Sequence, residues 1–296
     1  MRPAALRADG LILLVAAIWG SGFVAQRVAM ESMGPFGFNA ARYLVGALVV
    51  APLALRTRVT RAELRAGIVL GVVMALAAGF QQAGIVTTTA ARAGFITGLY
   101  VPVVPLIGLM IGQRIVAGHV LGGVLAVAGM ALLAGDLSGG IAPGDALVMV
   151  CALMWAVHVV MVGRWAGWAD PLRISLVQFV TVAVLSGAAA AVFEGNPARG
   201  AAGAGWAIAY SGVLVIGVAF TLQVVAQKTA PASHAAVLMS LEAVFAVVFG
   251  WALLGEGLGP RELAGAALML AGMMTSQLWP HRRTEAERAE LVDPVR

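Results

Sequence analysis

Residues Gly122–Gly129 read GGVLAVAG, and residues Gly265–Gly272 read GAALMLAG. Laid over each other at an offset of 143, the glycines at both ends coincide. Working back along the chain, Gln82 falls on Gln223 and Thr88 on Thr229 at an offset of 141. Earlier still, Trp19 falls on Trp155, Arg42 on Gln178 and Tyr43 on Phe179 at an offset of 136. The offset drifts upward slowly, as small loop insertions would make it do. The chain therefore reads as two copies of one unit.

Composition says what the unit is made of. Of 296 residues, 61% are hydrophobic and only 11% charged, more apolar surface than a soluble domain of this size can bury. A membrane-spanning helix needs roughly 20 apolar residues. Ten such stretches are predicted, near 10–30, 36–55, 66–88, 93–112, 118–135, 143–163, 172–193, 204–226, 232–253 and 261–279. Strand-type alternation is absent, which argues against a β-barrel. The expected fold is an all-α polytopic membrane protein. Its ten transmembrane helices form two five-helix repeats, 1–138 and 139–280, around a central cavity, with a charged tail over 281–296. Five is odd, so the second repeat is inverted relative to the first, as in secondary transporters, whose binding site lies where the halves meet. Asp136–Asp145, with three glycines and Pro143, is the boundary between the halves.

The net charge of +5 is a topology signal rather than a nucleic-acid signal. With a cytoplasmic N-terminus, the inner segments carry fourteen Lys and Arg residues, four of them between Arg56 and Arg65. The outer loops carry three, Arg92, Arg199 and Arg261. This asymmetry predicts that both termini are cytoplasmic. The single Cys151 leaves no intrachain disulfide and no multi-cysteine metal site. No metal or cofactor motif stands out. Gly20-Ser21-Gly22 lies in an apolar helix with no base partner, so Ser21 is not read as a nucleophile.

Polar residues inside the spans are few and costly, and are therefore the functional candidates. Glu242, about ten residues into the ninth span, is the deepest acidic group. A carboxylate there must meet a cation or hydrogen-bond donors, or hold a proton, which makes it a coupling candidate or a structural bridge. Arg27 and Arg42 either snorkel to the headgroups or serve a gate. His158, one turn after Trp155, either titrates or is hydrogen-bonded within the bundle. Trp19 and Trp155 lie too deep for an interfacial belt and are expected to wall the cavity. The repeat-related Gln82 and Gln223 could face each other across the pseudo-twofold. Ser21, Tyr100 and Tyr210 add hydroxyls. Pro102 and Pro105 should bend the fourth span and free backbone carbonyls. Glycine pairs such as Gly67/Gly71, Gly94/Gly98, Gly108/Gly112 and Gly118/Gly122 permit close helix contact, either as static packing or as sliding surfaces.

Four stretches carry a family resemblance. They are Trp19-Gly20-Ser21-Gly22-Phe23, Ala41-Arg42-Tyr43-Leu44, Ser240-Leu241-Glu242-Ala243, and Leu254-Gly255-Glu256 followed by Gly265 and Gly272. Over 10–279 the chain resembles EamA-type members of the drug/metabolite transporter superfamily. Two features depart from the pattern: Ala243 stands where family members usually have proline, and Gly112-Gln113 stands opposite Gly255-Glu256. The resemblance implies a ten-helix transporter of the bacterial inner membrane, often exporting amino acids or related metabolites. It also implies a cavity lined by the first, third, fourth, sixth, eighth and ninth helices. The expected partners are a small-molecule substrate and the lipid bilayer, with no nucleic acid and no cofactor, for a monomer that is not an enzyme. The charge-poor cavity also accommodates vitamins, nucleosides or cationic drugs, taken up or expelled. A membrane-embedded enzyme acting on lipid carriers is a remote alternative, because no His, Asp, Glu or Arg cluster with a nucleophile is present.

Overall fold

The computed structural model describes residues 3–87, 90–112, 116–133, 143–254 and 259–279. The charged tail, most of the Asp136–Asp145 linker, and Thr88, Gln113, Gly255 and Glu256 lie outside the described residues. Within them the chain is helical and no strand occurs. The first half supplies α1 (Pro3–Ala29), α2 (Pro35–Ala54), α3 (Arg61–Ile85), α4 (Ala90–Gly98), α5 (Tyr100–Met110) and α6 (Ala117–Leu133). The second half begins with α7 (Pro143–Trp165) and α8 (Pro171–Phe193). One continuous apolar segment follows: α9 (Gly205–Tyr210), a π-helical stretch Ser211–Phe220, and α10 (Thr221–Ala226). Last come α11 (Ala232–Met239), α12 (Glu242–Leu254) and α13 (Pro260–Leu278).

Seven of these segments are long and apolar enough to cross a membrane, and shorter apolar helices cover Ile96–Met110, Ala117–Leu132 and Leu263–Ser276. Together they fall on the ten stretches expected from the sequence. Large apolar side chains such as Leu48, Val184, Val192 and Phe193 face outward. So many exposed large apolar side chains suit lipid rather than water.

Local chemistry sets the helix ends. Proline opens α2, α7, α8 and α13, where its missing N–H costs nothing. Thr60 and Glu63 form a reciprocal capping box at the start of α3. Asp170 caps α8 through Leu172 N and Arg173 N. Glu63 continues outward to Arg173 at 2.7 Å, and its Oε1 also accepts from Asp170 N. The α3 and α8 starts are therefore tied across the two halves. At α2 the N-cap is Gly34, which has no side chain to offer. Glu194, just past α8, takes its place and accepts from Phe36 N at 2.7 Å and Gly37 N at 3.0 Å.

Packing runs mostly between the halves. α1 lies on α12, α2 on α8 and on the π-helical stretch, α3 on α7 and α8, α4 and α5 on α7, and α6 on α13. The glycines quoted at the outset are the contact of that last pair. A Cβ on Gly122 would sit 2.6 Å from Gly272 O, and one on Gly272 would sit 2.6 Å from Gly122 O. A Cβ on Gly129 would sit 2.5 Å from Gly265 O. Gly67 and Gly71 likewise press on Val177 and Thr181 of α8. Gly108/Gly112 is not such a pair: Gly112 ends α5 at φ +80°, a left-handed conformation that glycine adopts without strain.

Two of the ten segments are interrupted. The fourth breaks at Leu99, between α4 and α5, upstream of both prolines. Pro102 then lies in the first turn of α5, where no amide donor is required, and only Pro105 is inside the helix. The ninth breaks at Ser240–Leu241 without any proline, and Ser240 Oγ donates back to Val237 O at 2.7 Å. Such side-chain bonding to the preceding turn loosens a helix.

Candidate functional site

A cavity lies where the two halves meet. Its walls come from α1 (Trp19, Phe23, Gln26), α3 (Gln81), the α4/α5 break (Thr97, Tyr100) and α7 (Trp155, Val159). Val215 and Phe220 of the π-helical stretch, Gln223 of α10, and Met239 and Glu242 at the α11/α12 break complete the wall. These are the helices that the resemblance implied. α2 is an addition, through Arg42 and Tyr43. The space in it wide enough for water is about 50 Å³. Pockets for drug-sized ligands run to roughly 300–1,000 Å³.

The Trp19–Phe23 motif explains much of the construction. Trp19 and Phe23 face the cavity. Between them, Gly20 seats α12: a Cβ there would sit 2.6 Å from Glu242 O and 2.8 Å from Ala246 N. Ser21 donates to Ile18 O at 2.8 Å and lies 2.5 Å from Tyr210 Oη, so these two hydroxyls satisfy each other outside the lining. A Cβ on Gly22 would meet Val215. Phe220 is the hub of the aromatic wall, 4.6 Å from Trp19 and stacked at 5.5 Å on Trp155 between ring centroids. Offset and tilted ring pairs of this kind fix side-chain positions as well as burying area.

The polar groups divide into donors and acceptors. Arg42 is buried, so it does not snorkel. Its Nε donates to Asn39 Oδ1 at 2.9 Å and its guanidinium lies over Phe38 and Tyr43. Glu242 is the first residue of α12, placed there by the helix break, and is likewise buried against the cavity. Its carboxylate makes no hydrogen bond or ion pair among the described residues. Three further wall atoms are buried without a partner among the described residues: the donor Trp19 Nε1 and the acceptors Gln26 Oε1 and Gln223 Oε1. Such groups are costly unless something satisfies them. The Gln223 amide nitrogen is used internally, donating to Gln227 Oε1 at 3.0 Å, and Gln227 in turn donates to Val159 O.

Several expected residues are elsewhere. His158 is outside the lining, with Nε2 3.1 Å from Gln178 Oε1 and its ring edge-on to Trp155. Gln82 is fully buried but does not line the cavity or pair with Gln223; its neighbour Gln81 lines it instead and reaches Thr97 Oγ1 at 3.4 Å. One residue along a helix turns a side chain by about 100°, so the repeat alignment found the helix and missed the face. Pro102 and Pro105 are not in the wall. Thr97, Phe220 and Met239 carry no signal in the sequence that would have singled them out.

A helical chain with exposed apolar surface and a largely apolar cavity between its halves has the build of a polytopic membrane protein. The chain belongs to the EamA-like transporter family, which matches residues 6–135 and 142–276. It is 32% identical over 274 residues to an uncharacterized transporter of Archaeoglobus fulgidus, covering 92% of this chain and 86% of that one. It is also 23% identical over 286 residues to the uncharacterized transporter YoaV of Bacillus subtilis, covering 92% and 97% of the two chains. A crystal structure of a protein superposes with a TM-score of 0.79 at 19% identity, covering 93% of this chain and 99% of that one. That likeness concerns the fold alone.

Proposed function

We propose that this transporter exports amino acids or closely related zwitterionic metabolites across a bacterial inner membrane, by alternating access of two inverted five-helix repeats. The observation that carries the substrate class is the cavity wall. It holds one guanidinium and one carboxylate, Arg42 and Glu242, together with an unpartnered indole N–H and two unpartnered amide oxygens. A zwitterion answers both sets: its carboxylate meets Arg42 and Trp19, and its ammonium meets Glu242, Gln26 and Gln223. On this reading the site binds and releases its cargo without chemistry, and the chain works as a carrier.

The packing supports the inverted repeat. If α1 corresponds to α7 and the α4/α5 pair to α11/α12, then α1 on α12 is the symmetry mate of α7 on α4 and α5. α3 on α8 is the mate of the π-helical stretch on α2, and α6 on α13 is its own mate. The interrupted segments are also mates, with Tyr100 and Glu242 each opening its second half-helix. Broken helices at matching places in the two halves are the usual position of a transporter site. Ten crossings put both termini on the cytoplasmic face, in keeping with the arginine distribution. Ten helices enclose the pathway in one chain, so the unit is a monomer. The small cavity corresponds to a closed state, and substrate entry requires the halves to part, with the two breaks as hinges.

The aromatic wall around Glu242 supports a second reading, a cationic drug or nucleoside-like substrate, since rings attract cations. The test is efflux from proteoliposomes loaded with labelled amino acids, with and without a pH gradient, for wild type and Glu242→Gln. Release of amino acids by wild type is expected, together with at least a tenfold loss in the variant. Absence of flux for every amino acid would remove the zwitterion assignment and leave the cationic one to be tried.

A further inference from the structure

A larger space lies apart from the central cavity, a groove of about 640 Å³ on the outside of the bundle. It forms where α3 and α8 part. In their first halves the two helices touch: a Cβ on Gly67 would sit 2.5 Å from Val177 Cβ, and one on Gly71 2.5 Å from Thr181 Cβ. Beyond Gly71 each turns to another neighbour. Gly84 of α3 packs on Val148 of α7, and Gly37 of α2 packs on Glu194 and Pro197 just past α8. The face of α3 from Val72 to Ala83 is then one wall of the groove, and that of α8 from Leu185 to Phe193 is the other. Phe36 of α2 and Leu147 of α7 complete it. Val72, Leu76, Leu185 and Phe193 are exposed, so the groove opens sideways.

We propose that this groove holds the acyl tail of a phospholipid in the leaflet opposite the N-terminus, with an ammonium headgroup, as in phosphatidylethanolamine, donating to Glu194. The inference rests on the membrane-spanning build and on no transported substrate. Three observations carry it. The wall is apolar: Ser186 is the one polar residue in it, and it is buried. The length is that of one leaflet. Val72 to Ala83 is eleven helical steps, a rise of roughly 16 Å, and half of a hydrocarbon core of ~30 Å is about 15 Å. A helix of a second copy, ~10 Å across, would need roughly 1,300 Å³ over that length, about twice what the groove offers. Third, an anion stands at the groove's end. α1 crosses from the N-terminal face, so α2 begins on the opposite face, where α8 ends. There the rings of Phe36 and Phe193 pair at 5.8 Å, and Glu194 accepts from Phe36 N and Gly37 N. Each carboxylate oxygen keeps a second acceptor position. No Lys or Arg among the described residues forms an ion pair with Glu194. An ammonium at headgroup level supplies both the missing charge and the missing donor. The seat reaches the central cavity through one helix: Phe80 and Ala83 of α3 face the groove and Gln81 faces the cavity. A tail in place props α3 away from α8 and so fixes one wall of the cavity.

The test uses the protein in nanodiscs with a trace of phosphatidylethanolamine that carries a diazirine in mid-chain. After irradiation, mass spectrometry of peptides locates the label. Leu76, Phe80, Leu185 and Ala189 are expected to label at least tenfold more than Leu44, Leu214 and Val248, which are accessible but do not line the groove. Ala189→Trp fills the groove and is expected to cut that labelling at least fivefold while leaving Leu44 unchanged. A probe with the same tails and a phosphatidylglycerol headgroup is expected to label the groove at least fivefold less. Glu194→Gln keeps an acceptor for the α2 amides and is expected to abolish that difference between headgroups. Even labelling of all accessible residues overturns the site. Equal labelling by the two probes, or a difference that survives Glu194→Gln, overturns the headgroup assignment. A groove protected from both probes in a particle of twice the protein mass gives it to a second copy and overturns the proposal as well. If Glu194→Gln does not fold, the two probes on wild type decide. None of these measurements involves transport, so failure to find amino-acid flux would sink the zwitterion assignment without touching this one.

Discussion

At the scale of single residues, the Trp19–Phe23 motif shows how one turn of helix serves both packing and site. Gly20 allows α1 to touch the backbone of α12 where Glu242 begins it. Gly20→Ala places a methyl group against Glu242 O and Ala246 N, neither of which can rotate away. It is expected to cost about 1–3 kcal/mol of stability. A lowered thermal midpoint in detergent would register this; an unchanged midpoint would mean that α12 yields. Trp19→Phe keeps a six-membered aromatic ring and removes the N–H that lacks a partner, together with the five-membered half of the indole. If that N–H binds substrate, the loss is worth about 1–1.5 kcal/mol, a roughly tenfold weaker apparent affinity in transport. An unaltered affinity would assign Trp19 to packing. The sequence made Trp19, Trp155, Tyr100, Gln223, Arg42 and Glu242 legible, because large or polar groups deep in apolar helices are conspicuous. Gln82, Ser21, Tyr210 and His158, expected at the site on the same ground, lie outside the lining, because spacing along a helix does not reveal which face a neighbouring segment covers. Nothing in the sequence set Thr97 or Phe220 apart, since a threonine or phenylalanine in a membrane helix is ordinary.

At the scale of elements, ends and interruptions carry the information. Glu194 caps α2 from the other half of the chain, doing for Gly34 what a local side chain would normally do. Glu194→Ala leaves those amides without an acceptor and is expected to lower stability by about 1 kcal/mol. Thermal unfolding in detergent measures it, and no loss would mean that water serves equally well. Helix ends were readable where prolines and a Thr-x-x-Glu box stood. The break at Ser240–Leu241 was not: without a proline, the apolar run Ala232–Leu253 reads as one helix, and a serine bonded to the preceding turn, as Ser240 is to Val237 O, is common in unbroken helices too. The π-helical stretch Ser211–Phe220 is equally silent in sequence, since each of its residues is acceptable in an α-helix. Wide turns of this kind concentrate at functional sites, and here the stretch delivers Val215 and Phe220 to the cavity.

At the scale of the whole molecule, the two glycine stretches that match in sequence lie against each other. Gly122 and Gly272 each press on the other's carbonyl. Gly122→Ala and Gly272→Ala should therefore destabilise by similar amounts, about 1–3 kcal/mol each. The double substitution should cost measurably less than the sum, because the first methyl group already separates the helices and both report on one contact. Strict additivity in a double-mutant cycle would argue that the two positions are independent. The apolar segments, seven of them long enough to cross a membrane, were legible because lipid demands long apolar runs. The way helices from one half interleave with those of the other was not, because periodicity says nothing about which faces meet.

The near-closure of the cavity also bears on electrical insulation. A membrane at 100 mV holds about 2.3 kcal/mol for every unit charge across it. A continuous column of water through the protein would discharge that store whether or not cargo moved. With about 50 Å³ of water-sized space beside Trp19, Trp155 and Phe220, this cavity has no room for such a column. In this conformation the aromatic wall narrows the cavity below what a conducting column of water needs.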